Sequence, residues 1–103
     1  MIVIHARFAV APAAHAAFTS AMAQAATLAR AEPGCVAYQF SVDLDDPGAF
    51  FLLELWESEA ALEAHMQTPH LRDFLRLVRR VAAITSRVYE GPLRRYRIRI
   101  PEL

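Results

Sequence analysis

An α+β domain, with one antiparallel sheet covered by helices on a single face, is the fold class this sequence predicts. Three observations carry that prediction. Stretches of period-two hydrophobicity alternate with stretches of helical period along the chain. Their order is strand, helix, strand, strand, helix, strand, the pattern of a sheet with its helices on one side. The 103 residues suffice for one domain and no more.

The first strand spans residues 2–10. Ile2, Ile4, Ala6, Phe8 and Val10 share one face, and Val3, His5, Arg7 and Ala9 the other. Pro12 suits a first helical turn, where its missing N–H would have been unpaired anyway. Residues 13–31 are dense in alanine, the strongest helix former, and Phe18, Met22, Ala25 and Leu28/Ala29 fall on a common face. Glu32-Pro33-Gly34 ends this helix, joining a helix breaker to a residue that accepts positive φ.

Residues 35–43 predict a second strand, with Val36, Tyr38, Phe40 and Val42 opposite Cys35, Ala37, Gln39 and Ser41. Asp45-Asp46-Pro47-Gly48 is a turn by its chemistry, so residues 49–57 return as a third strand in an antiparallel hairpin. Ser58 is placed to cap a short helix over 59–67. Thr68-Pro69 restarts a second helix, 70–81, with Leu71, Phe74, Leu75 and Val78 facing inward. Residues 84–90 predict a fourth strand. After Gly91-Pro92, Tyr96, Ile98 and Ile100 alternate with Arg95, Arg97 and Arg99 as a terminal strand. The whole reads as ferredoxin-like β-α-β-β-α-β, a four-stranded antiparallel sheet plus a C-terminal strand. Whichever parity is chosen, the helix-free face of that sheet carries Tyr, Phe, Leu or Val. Such a face is expected to be covered, which predicts a homodimer packed through it.

Composition removes several classes of partner. Eleven acidic and eleven basic residues cancel, so no global field points to nucleic acid or to a membrane surface. Arg94, Arg95, Arg97 and Arg99 form a basic run, yet only Tyr96 lies among them to stack a base. Charge that protects an edge strand, or a strand added to a partner's sheet, is the better reading. Cys35 is the only cysteine, which rules out an intrachain disulfide and fits a reducing compartment. The opening strand, with His5 and Arg7 inside it, does not read as a signal peptide. No apolar run approaches the roughly 20 residues needed to span a bilayer. A small soluble cytoplasmic domain is expected.

The candidate chemistry lies between residues 54 and 70. Glu54 sits on the apolar face of a central strand, where a carboxylate is unfavourable unless paired. It is either a general base or orienting group, or one half of a structural pair with Arg7, Arg87 or His70. Trp56, on the same face, either stacks on a planar substrate or fills the core. His65 and His70 flank the helix break, and each is either a proton acceptor or a helix-end residue. Their i, i+5 spacing across a break does not make the i, i+4 zinc pair of a helix, so no metal site is expected. His5 is a weaker candidate, and His15 reads as solvent-facing. Cys35 reads as a structural thiol.

Glu32-Pro33-Gly34-Cys35-Val36-Ala37-Tyr38, Glu54-Leu55-Trp56-Glu57-Ser58, Ala61-Leu62 and the run from His65 to His70 together resemble the antibiotic biosynthesis monooxygenase family of dimeric α+β barrels. The resemblance covers nearly the whole chain in order of elements. Similar proteins include cofactor-free oxygenases of phenols and quinols, haem-degrading enzymes, a sugar-phosphate isomerase and domains of no known activity, so fold alone leaves the chemistry open. The resemblance implies a cofactor-independent monooxygenase or quinol oxidase using O₂ on a small aromatic polyphenol, quinol or anthrone-like substrate. In that reading His65 or His70 helps form the substrate anion, Trp56 stacks on the ring, and Glu54 or Arg7 orients it. Tyr38 and Phe74 complete the substrate-binding set. Haem is argued against: the haem-handling members carry tryptophan where this chain has His65, an iron-ligating histidine at Leu75, and asparagine at Ala6. The alternatives are a non-oxidative isomerase and a non-catalytic dimer that binds an apolar ligand. A pocket filled by Trp56 and Phe74 favours the binding protein; an open cavity touching Glu54 and a histidine favours an enzyme.

Overall fold

Strand β1 (Ile2–Val10) is the axis of the sheet, pairing antiparallel with β3 (Ala49–Trp56) on one side and β4 (Ala82–Glu90) on the other. The computed structural model describes residues 1–95 and 97–102. Strand β2 (Cys35–Val42) joins the outer edge of β3 through the predicted hairpin, giving the order β2-β3-β1-β4. The hairpin turn is held by aspartates: the Asp43 carboxylate accepts from the Asp45 N–H and the Asp46 carboxylate from the Gly48 N–H.

Three helices lie on one face. After a single 3₁₀ turn at Pro12–Ala14 come α1 (His15–Arg30), α2 (Glu59–Met66) and α3 (Pro69–Val81). The core between them and the sheet is aromatic. Phe8 of β1 packs on Phe18 of α1 and Phe74 of α3, with ring centroids 5.5 and 6.1 Å apart. Phe18 also meets Phe50 of β3 at 5.3 Å. Tilted and edge-on pairs of this kind add roughly 0.5–1.5 kcal/mol each to the gain from burial. Alanine on α1 serves a packing purpose, because Ala25, Ala26 and Ala29 are buried where the helix approaches the sheet.

The structure departs from the sequence reading at four places. Cys35 shares a face with Trp56 across the β2–β3 ladder, because a register shift between Cys35 and Ala37 inserts one extra residue. That bulge turns Val36 out and Cys35 toward the core. Leu28 is half exposed, and Ala26 takes the inward place beside Ala25. His15 is part-buried, since its Nε2 lies 3.2 Å from the Val10 carbonyl and its ring stands edge-on to Phe50. The expected terminal strand is not formed by the described residues beyond Gly91, and Tyr96 lies outside the described residues. Its Ile98 and Ile100 are exposed, and the Gly91-Pro92 step carries the chain off the edge of β4.

The turn between α1 and β2 sets the position of the site. Gly34 has φ +83°, and a Cβ placed there would stand 2.5 Å from Cβ of Ala61 on α2. Its carbonyl accepts from the Glu57 N–H at 2.8 Å, so the turn is pressed against the start of α2. Gly34→Ala therefore meets both backbone strain and a steric clash. It is expected to lower unfolding stability by about 2–3 kcal/mol, read from the urea midpoint.

Candidate active site

Two capping residues create the bend from which the site is built. Ser58 Oγ accepts from the Ala61 N–H and starts α2, which runs only eight residues. Thr68 then works in both directions: its hydroxyl donates to the His65 carbonyl at 2.7 Å, and its Oγ1 accepts from the Leu71 N–H to open α3. Pro69 follows at the first position of α3, where the lost N–H carries no penalty. The break is thus sharp. It leaves His65 in the last turn of α2 and His70 in the first turn of α3, with ring centroids 6.2 Å apart.

Both imidazoles converge on one oxygen of Glu32, which follows α1. His65 Nδ1–H donates to Oε2 of Glu32 at 2.7 Å, and His70 Nε2–H donates to the same oxygen at 3.0 Å. On its other side, His65 Nε2 stands 3.8 Å from Oε1 of Glu54, which accepts the indole N–H of Trp56 at 3.0 Å. The Trp56 ring lies against His65 at 4.5 Å, and Tyr38 meets the same imidazole edge-on at 5.6 Å. His65 is only 2% exposed, yet it has a carboxylate at each ring nitrogen. With Nδ1 bonded to Glu32, Nε2 is the ring nitrogen that faces Glu54.

Burial dominates the electrostatics. It pushes the Glu54 carboxyl up from its ordinary value of 4.5, against the opposing pull of the Trp56 hydrogen bond and the His65 charge. Tyr38 is raised above its usual range by burial first, then by the negative charges of Glu54 and Glu32. The Cys35 thiol is also raised, by burial and the same two carboxylates, with Arg30 opposing. A thiol so placed is a poor nucleophile, consistent with a structural role.

Glu54, His65 and Tyr38 form the polar end of a cavity of about 180 Å³. Apart from Ser86 of β4, its remaining walls are apolar: Ile4 and Leu52 from the sheet, Leu71 and Phe74 from α3, and Ile84 and Val88 from β4. It opens along β4, whose Ile84 and Val88 are about half exposed. Four residues expected in the site, Glu54, His65, Tyr38 and Phe74, meet there. The other three do not. Trp56 is fully buried behind Glu54 and His65, so it packs, tilted, against the imidazole and fills the core. Arg7 lies on the opposite face of the sheet and pairs with Asp46 at 2.9 Å; strand parity separates it from Glu54. His70 touches the site only through Glu32, and its ring lines a second groove of about 230 Å³ between α1 and α3.

Glu32 is the functional residue that sequence reasoning missed, taken only as part of a helix-ending turn. Its signal was the two histidines at a helix break, which need a shared acceptor from elsewhere in the chain. The two histidines do not form the i, i+4 pair of one helix. The break folds them together, and one ligand atom each from Glu32, His65 and His70 lies within 4.8 Å of the others.

A ferredoxin-like domain with a buried carboxylate–imidazole chain at the end of an apolar cavity defines the class as a small-molecule site on an α+β scaffold. The family model for antibiotic biosynthesis monooxygenase matches residues 1–77, and the chain belongs to that family. The Bacillus subtilis protein named "Putative monooxygenase YcnE" is 32% identical over 75 residues, which cover 73% of this chain and 79% of that protein. A Synechocystis protein, sll1783, is 41% identical over 46 residues, covering 45% of this chain but only 31% of its own length. In fold, a Deinococcus radiodurans crystal structure superposes with a TM-score of 0.87 at 23% identity, covering 95% of this chain and 99% of that one.

Tyr38 offers a direct test of the site's electrostatics. Its folded-state pKa is raised above 10.0, so the folded chain keeps a proton that the unfolded chain releases near that pH. The folded state therefore binds more protons, and stability falls as pH rises above about 10. Ultraviolet titration should show Tyr38 ionising only together with alkaline unfolding, and Tyr38→Phe should flatten the alkaline loss. Ionisation of Tyr38 in folded protein would refute this account.

Proposed function

We propose that this chain is a monooxygenase or quinol oxidase, acting without metal or flavin on a small phenol or hydroquinone. The observation that carries the reading is His65, held by Glu32 on one nitrogen and turned toward Glu54 and the cavity with the other. A phenolic O–H at the polar end passes its proton to His65 Nε2. The imidazolium that forms stands between the Glu32 and Glu54 carboxylates. Glu54 also accepts a hydrogen bond from a second hydroxyl, and the Tyr38 phenol, kept protonated, donates to the developing oxyanion.

The ring rests against Leu52, Leu71 and Phe74 with water excluded, leaving an electron-rich anion beside dissolved O₂. A hydroquinone then gives up two electrons and two protons to yield quinone and H₂O₂. A ring methylene of the anthrone type takes one oxygen atom as C=O and releases the other as water. Neither reaction needs an outside reductant. A cavity of about 180 Å³ is little larger than the roughly 150 Å³ that holds benzene, so one or two fused rings fit within it. Larger substrates would extend past Ile84 and Val88.

The lining disfavours the phosphorylated substrate of an isomerase, since no arginine faces this cavity. Its open form, touching both Glu54 and His65, supports an enzyme over a passive binding protein. The homodimer belongs to the same reading. The helix-free face presents Val3, Phe51, Leu53, Leu55 and Tyr89, with Leu53 and Tyr89 substantially exposed. A second copy packed there would remove this apolar surface from water. No helix is long and apolar enough to cross a membrane among the described residues.

The decisive experiment is oxygen uptake by chelator-treated protein against hydroquinones, naphthols and anthrones, with uncatalysed autoxidation as baseline. Saturable uptake that persists in chelator is expected, falling about 100-fold or more in kcat/KM for His65→Ala. Uptake at baseline across the panel would refute the oxidative reading. Light scattering at micromolar concentration should give twice the chain mass, and the mass of one chain would refute the dimer.

A further inference from the structure

We propose that Glu32, His65 and His70 form a binding site for a first-row divalent cation, with Zn²⁺ the ion that fits best. The three ligand atoms, Oε2, Nδ1 and Nε2, come one from each side chain and lie within 4.8 Å of one another. Ligand atoms about 2.0–2.1 Å from a tetrahedral Zn²⁺ stand roughly 3.4 Å apart. The Glu32 contacts, now 2.7 Å to His65 and 3.0 Å to His70, would need to open by well under an ångström. Two imidazoles and one carboxylate are also the donor set of zinc sites that leave a fourth position open.

A second observation is independent of that triangle. The outer ring nitrogen of a zinc-bound histidine is almost always held by a carboxylate or carbonyl, which fixes the ring and strengthens the ligand. His65 has a carboxylate close to that position: its Nε2 faces Oε1 of Glu54 at 3.8 Å, a few tenths of an ångström beyond a hydrogen bond, and the Trp56 indole holds that oxygen in place. Entry would come from the α1–α3 groove, where His70 is accessible beside Gln24 and Asp73.

Occupancy has a chemical consequence. With the ion on Nδ1, the proton of His65 moves to Nε2 and is donated to Glu54. The lone pair needed for proton abstraction is lost, so Zn²⁺ should inhibit turnover. That consequence rests on the oxidative reading above, whereas binding itself does not.

Calorimetric titration of chelator-treated, exchanged full-length protein with ZnCl₂ tests the site. One ion per chain is expected, with zinc also raising the melting temperature. Affinity should fall at least tenfold in His70→Ala and in Glu32→Gln, and about tenfold in Glu54→Gln, which alters only the outer carboxylate. His5→Ala and His15→Ala should bind as wild type does. Far-ultraviolet circular dichroism checks that each variant folds, with the less disruptive His70→Gln replacing the alanine variant where needed. Absence of binding would overturn the proposal, and so would binding indifferent to His70 and Glu32. Zinc bound at this site with turnover undiminished would uphold the site and refute the base role of His65.

Discussion

A single carboxylate oxygen, Oε2 of Glu32, accepts hydrogen bonds from two imidazoles on successive helices, and the site depends on that sharing. Without it, a nearly inaccessible His65 would have an unpaired N–H in a low-dielectric interior, a loss of roughly 1–3 kcal/mol. The bond also joins parts of the chain far apart in sequence. Glu32 lies in the turn leaving α1, His65 ends α2 and His70 begins α3. The turn must therefore approach α2 closely, which explains a positive-φ glycine with no room for a Cβ at Gly34.

The second carboxylate is held by a different economy of structure. Glu54 and Trp56 are two residues apart on β3, so the period of the strand puts them on one face and the indole N–H within reach of Oε1. That bond and the nearby imidazole partly offset the desolvation of Glu54. Trp56 thereby serves both neighbours: it donates to the Glu54 carboxylate and leans, tilted, against the His65 ring. Its ring is fully committed before any substrate arrives. An indole so occupied holds Glu54 and His65 in place.

Local periodicity made most of the fold legible. Alternation in β1 and β3, the Asp-Pro-Gly turn, and the Ser58 and Thr68 caps each depend on neighbours within a few residues, and each appears where the sequence puts it. The failures share a cause. The bulge at Cys35 is set by pairing with β3, and the expected terminal strand has no neighbour among the described residues of one chain. At the site, Glu54, His65 and Tyr38 were legible because polar or hydroxylated side chains on otherwise apolar faces are informative. Arg7 failed on parity, for its position on β1 alternates with Ala6 and Phe8, which face the cavity. Glu32 was hidden because its role exists only once three distant segments meet.

In the function proposed above, chemistry and recognition are divided between two sets of residues. The polar groups gather at the inner end of the cavity, Glu54 bonded to Trp56 and Glu32 bonded to both histidines, and every buried polar side-chain atom among the described residues has a partner. The walls that would meet a substrate are mostly apolar side chains from β1, β3, α3 and β4, with Ser86 among them and no charge beyond that inner end. Apolar packing discriminates between rings by volume at only about 1–3 kcal/mol per methylene, whereas the placement of a proton acceptor must hold to a fraction of an ångström. A network built on the rigid sheet and a capped helix break meets the second demand. The open side along Ile84 and Val88 meets the first loosely, because substrates differing in outer shape can share one inner hydroxyl position.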